Sequence, residues 1–133
     1  MNQVVLNTTQ KVEALLPELR SMPQVDCNTQ HYFGPHMYVR EVTMPAGSVI
    51  IGKPHKAEHM CVMLQGRMLL INEDGSKTEL VAPKTFVGTP GRKVAYIMET
   101  TVFQNIFVTD ETDIEKLENM LVDNTQPLLE QGD

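Results

Sequence analysis

The chain has 133 residues, nine methionines, no tryptophan and a formal net charge of −6. That length is one domain with enough core to fold without a disulfide or a metal. The acidic balance, with no dense basic stripe, excludes general nucleic-acid binding, and no apolar run is long enough for a membrane span.

The charge is unevenly spread. Residues 31–98 hold eight basic against five acidic side chains and all four histidines, while residues 99–133 hold one basic and nine acidic. A mildly basic middle permits a small anionic ligand at one localised site. Cys27 and Cys61 lie far apart without paired spacing, and no apolar targeting region opens the chain. Both features imply free thiols in a reducing cytoplasm.

Residues 1–30 form a helical extension. Thr8 and Thr9 cap a short helix in which Val12, Leu15, Leu16 and Leu19 recur at helical spacing, with Pro17 shortening or kinking it. Gly34-Pro35 then forces a turn, and Met37 to Met44 reads as a strand ending at Pro45-Ala46-Gly47. Ser48 to Ile51 is a short strand.

The stretch Ile51 to Gly66 is the centre of the chain. Two histidines, His55 and His59, stand four residues apart before an apolar run. Flanking Gly52, Pro54 and Gly66 argue against a helix. As an extended segment it places Lys53, His55, His59, Cys61 and Met63 on one face, and Met60, Val62 and Leu64 on the other. The first is a candidate ligand wall, the second a packing surface. Gln65-Gly66-Arg67 reads as a tight hairpin turn into Met68 to Asn72. Asp74-Gly75 is a second hairpin signal. Lys77 to Val81, Thr85 to Val87, Lys93 to Met98 and Thr101 to Val108 complete about eight short strands, the pattern of an all-β sandwich or barrel. In residues 109–133, Thr109 to Asp113 caps a helix with Ile114, Leu117 and Leu121 on its apolar stripe. Residues 124–133 read as a frayed tail.

Residues 37–122 resemble a small single-domain cupin, and most closely compact cupins encoded by phages. The resemblance is carried by Pro45-Ala46-Gly47, Gly52, His55-Lys56 and Glu58-His59, then Ala82-Pro83, Phe86-Val87, Pro90-Gly91 and Tyr96, then Thr109-Asp110-Glu111-Thr112-Asp113. It implies an antiparallel jelly-roll barrel over residues 31–108. The chain departs from the family's metal motif. Lys53 stands at the first histidine position, His55 keeps the second, and His59 stands at the glutamate position. Arg92-Lys93 follows Gly91 where a further histidine is usual, and Phe107 occupies a late-strand position where related compact cupins often have histidine.

His55 and His59 supply two ligands for a divalent metal, where catalytic sites usually need three. Cys61 could be a soft third, or alternatively a small core side chain. His31 or His36 could fold over the mouth. Lys53 and Arg92, beside the histidines, would make an anion site by charge-assisted hydrogen bonds. Three readings follow. The first is a non-catalytic cupin holding a small polar or anionic molecule in its barrel or dimer pocket through Lys53, His55, His59 and Arg92, in one version a phage protein sequestering a nucleotide signal in the host cytoplasm. The second is a metal-dependent oxygenase or isomerase using His55 and His59. The third is a structural or interaction cupin with a vestigial pocket. Exposed strand faces imply a homodimer, with the Met60, Val62 and Leu64 face or the first strands contributing.

Overall fold

The computed structural model describes residues 25–52 and 54–122, together with residues 10, 11, 14, 18 and 21. Those five are helical and exposed. The apolar positions expected to face inward from the first helix, the tail at 124–133, and Lys53 lie outside the described residues.

Seven antiparallel strands make the body: β1 (Gln30–Gly34), β2 (Met37–Met44), β3 (Val49–Ile51), β4 (His59–Ile71), β5 (Lys77–Val81), β6 (Lys84–Gly88) and β7 (Val94–Val108), followed by the helix α1 (Ile114–Leu121). The central stretch and the run after it, expected as two strands joined by a turn, are one strand. Residues 94–108, expected as two strands, are also one. The reason is Gly66, at φ +99°, which makes a bulge inside β4 rather than a turn between strands. The β4–β7 register slips between Met63 and Met68, as a bulge requires. The hairpin at Asp74-Gly75 does form, closed by Asn72 and Ser76.

The bulge splits the long β4–β7 ribbon into two halves with different neighbours. Before it, Met60 to Met63 pairs with Phe103 to Ile106 and is flanked by β6 and β2. After it, Met68 to Ile71 pairs with Val94 to Ile97 and is flanked by β5 and β3. The two half-sheets face each other as a jelly-roll barrel, and one core cluster draws Val42 and Met63 from the first and Ile50, Met68, Leu80 and Ile97 from the second. Alternation does the sorting: Cys61 and Met63 point inward and are buried, while Met60 and Leu64 point outward and are exposed. The face expected to pack is therefore the outer one, and the histidine face is continuous with the core.

Helix α1 closes one end of the barrel. Asp113 caps it by accepting from the Lys116 backbone N–H, and Leu117 packs beside Tyr38 and Phe107 with Ile114 and Leu121 partly buried around them. Its last turn is latched to the loop before β4, where Lys56 donates from its backbone to Leu121 O and from Nζ to Asn119 O.

A Cβ at Gly66 would stand 2.4 Å from Thr101 Oγ1 and 2.5 Å from Thr100 O, with the backbone already at positive φ. Gly66→Ala should therefore lower stability by at least about 1–3 kcal/mol, the usual cost of a strained backbone residue. Urea denaturation measures it. A midpoint equal to that of the parent chain would show that the bulge tolerates a side chain.

Candidate functional site

Between the two half-sheets lies a cavity of about 140 Å³. Its inner lining is apolar, with Val42, Met44, Met68, Leu80, Phe86 and Phe103 among the wall residues. Among the described residues its polar lining comprises Arg40, His55, His59, Cys61, Lys93 and Asn105, and no carboxylate.

The strand register explains how these groups meet. One inward row runs across the first half-sheet as Arg40, Asn105, Cys61 and Phe86, each paired with the next. The neighbouring row carries Tyr38 and Phe107, paired across β2 and β7, and His59 opposite Gly88. An aromatic ladder follows it. Ring centroids step from Phe33 to Tyr38 at 5.3 Å, Tyr38 to Phe107 at 5.9 Å, Phe107 to His59 at 4.9 Å, and His59 to His55 at 4.3 Å. Gly88 leaves the room for this, since a Cβ there would meet Cys61 Sγ at 2.8 Å and the His59 ring at 3.1 Å.

His59 is held by two oxygens: Nε2 lies 2.9 Å from Asn105 Oδ1, and Nδ1 3.3 Å from the Ala57 carbonyl. The Cys61 thiol donates to the same Asn105 oxygen at 3.6 Å. Burial pushes that thiol up to about 11, against the pull of the Lys93 charge and a Gly88 backbone hydrogen bond, so it is protonated at neutral pH. His55 is not on a strand. It sits in the loop before β4, bridged to Gly91 and to Val122 at the end of α1, and its buried Nδ1 has no hydrogen-bond partner among the described residues. Burial, then the neighbouring His59, Lys93 and Arg40, push its pKa down to about 3. At pH 7 it is a neutral imidazole.

His55 and His59 thus line one cavity, although a loop rather than a continuous strand brings them together. The turn after Gly91 contributes Lys93 to the wall. Arg92 does not line the cavity. It is fully buried on the other side of the backbone, its amide donating to Glu73 Oε2 at 2.9 Å. Lys93 Nζ donates to the Thr89 carbonyl, and burial pushes its pKa below the ordinary lysine range. His31 and His36 are engaged outside the cavity, with Tyr38 Oη at 2.7 Å and Asp110 Oδ1 at 2.6 Å. Arg40 and Asn105 belong to the site without any motif to announce them. The signal present in the sequence is period two: Tyr38, Arg40, Val42 and Met44 share a face, as do Phe103, Asn105 and Phe107.

The residues present do not fit a three-ligand metal centre. Both nitrogens of His59 already face protein oxygens, at Asn105 and Ala57, and Phe107 occupies the late-strand position. Among the described residues, no group of three or more His, Cys, Asp or Glu side chains converges on a point that could hold an ion.

The depressed pKa of His55 has a consequence for stability. Below pH 6.5 the unfolded chain binds a proton at His55 that the folded chain refuses until about pH 3. Its contribution is therefore whole above pH 6.5 and lost progressively on acidification. Urea unfolding between pH 7 and pH 4 should show stability falling by up to about 1.4 kcal/mol per pH unit from this group. His55→Gln should remove that part of the slope; an identical slope in the variant would assign the effect elsewhere.

No family model and no curated protein matches the chain. Among solved structures it is similar to a cupin domain from Bordetella pertussis, at 19% identity, covering 66% of this chain and 98% of that one with a TM-score of 0.51. A cupin superfamily protein from Desulfitobacterium hafniense matches at 10% identity over 83% of this chain and 94% of its own, TM-score 0.50. A cupin-2 domain protein from Shewanella frigidimarina matches at 9% identity over 70% and 91%, TM-score 0.50. At these identities the likeness is one of fold, and it agrees with the strand order and the facing half-sheets: the chain has the fold of a small single-domain cupin.

Proposed function

We propose that this protein is a non-catalytic cupin that holds a small anion in its barrel cavity. The observation that carries the reading is the charge of the wall. Arg40 and Lys93 border the cavity, and among the described residues no Asp or Glu does. Burial disfavours the charged form of Lys93, and a bound anion would offset that cost. A metal cation would instead add positive charge beside two cations. Neutral His55 contributes a hydrogen-bonding nitrogen, and the His59–Asn105 pair a fixed polar wall. Lys53 stays in the reading on sequence grounds, two residues before His55. The wall position expected of Arg92 passes to Lys93. Both cysteines are buried and neither is in a disulfide, which suits a reducing cytoplasm. Among the described residues no helix is long and apolar enough to cross a membrane.

Native mass spectrometry of the full chain, purified without added metal, tests the reading. The expected result is a mass explained by protein plus a small anion, with no stoichiometric metal. A stoichiometric divalent ion, lost on His55→Ala or His59→Ala and accompanied by turnover, would establish the metal-enzyme reading instead.

A homodimer belongs to the same proposal. On the outer face, Val87, Met60, Ile106, Val39 and Tyr32 are successive cross-strand partners and form one uncharged row across five strands. Met60, Val87 and Tyr32 are 41%, 49% and 50% exposed. Two copies of a chain with net charge −6 repel least across such a row. Light scattering at micromolar concentration should give twice the chain mass, and Met60→Lys should give the monomer. A monomeric parent chain would remove this claim.

A further inference from the structure

We infer that the cavity selects a small amphipathic anion, a carboxylate-type head on an apolar body of about six carbons. The inference rests on the anion reading above and adds the shape of the ligand.

The size sets the body. A cavity of about 140 Å³ is comparable to an apolar cavity of about 150 Å³ that stays dry and binds benzene in another protein. A nucleotide, with base, ribose and phosphate, is larger than the space between the half-sheets.

The strand register sets the polarity. Starting from the bend at Gly66, the inward residues of the first half-sheet are Met63 with Phe103 and Val42, then Cys61 with Asn105 and Arg40, then His59 with Gly88. On the second half-sheet they begin with Met68 and Ile97, then Leu70 with Ala95 and Ile50, and reach Lys93 at the far end. Both half-sheets therefore run from apolar at the bend to polar at the opposite end, where His55 is bridged to Gly91. A ligand polar all over would leave its inner groups unpaired against Val42, Met68 and Phe103, and unpaired buried polar groups are costly. An apolar ligand would leave the half-buried Lys93 without an anion. Only a molecule with one anionic end matches both.

Isothermal titration of the full chain with hexanoate, benzoate, acetate, inorganic phosphate and 1-hexanol separates the possibilities. The expected result is hexanoate or benzoate binding at least tenfold tighter than acetate, phosphate and 1-hexanol. Lys93→Met, with an unchanged thermal midpoint, should weaken hexanoate at least tenfold and leave 1-hexanol unaffected. Acetate or phosphate binding as tightly as hexanoate would overturn the amphipathic inference while leaving the anion reading intact. Binding of 1-hexanol equal to that of hexanoate would overturn the anion reading, and the inference with it. No binding by any of the five would overturn both.

Discussion

The close approach of Gly66 to Thr100 and Thr101 is the constraint on which the rest of the molecule depends. Strands β4 and β7 are 13 and 15 residues long, and a flat ribbon of that length could not bury both of its halves on one core. A residue with no side chain, at positive φ, lets the ribbon bend where the two backbones nearly touch. Each half then recruits its own flanking strands, and the halves close on one another. The bend shapes the site as well as the fold, because the cavity is the space left between the two halves away from it.

Within that space the orientation of the histidines comes from stacking more than from hydrogen bonding. Phe107 lies beside both imidazoles, at 6.0 Å from His55 and 4.9 Å from His59. Offset ring contacts of this kind are favourable beyond the area they bury. Asn105, two residues earlier and on the same face, then fixes the His59 ring through Nε2. A histidine at position 107 would have offered a donor nitrogen to the pair. Phenylalanine offers a surface instead, and the pair becomes part of a packed aromatic wall.

The sequence made the strands legible wherever local chemistry decides them. Met37 to Met44 and Lys77 to Val81 form the strands expected of them, and Asp74-Gly75 turns where it should, because alternation and turn residues act over a few positions. Gly66 was misread for a physical reason. A glycine between two apolar runs has the same local appearance in a hairpin turn and in a bulge, and only the partner strand, some 35 residues away, distinguishes them. The histidines and the basic pair after Gly91 were visible as candidates. Which member of that pair faces inward depends on the phase of β7, and it is Lys93 that is in phase with Ala95. Arg40 was hidden because an arginine within an apolar strand looks like its solvent side.

The cavity's positive wall also depends on where the acids are. Glu73 acts on Lys93 from outside the wall, raising its pKa against the effect of burial. Glu118, on α1, borders the smaller cavity that Arg40 and His55 also line; burial and Arg40 lower the pKa of His31 nearby, and Glu118 opposes them. Neither Glu73 nor Glu118 lines the barrel cavity that Arg40 and Lys93 border. At Lys93, Glu73 offsets part of the cost of burial without placing a carboxylate on the face presented to a ligand, since Coulomb interactions act through the wall at short range. Had the acids lined the cavity, their charge would have repelled an anion from it. His55 fits this order by being neutral: a third positive charge beside Arg40 and Lys93 would raise the cost of the empty site, while a neutral imidazole adds a hydrogen-bonding group at none of that cost. The chain's net negative charge is therefore compatible with an anion site, because the separation of charge across a single wall, rather than the total, sets the potential inside.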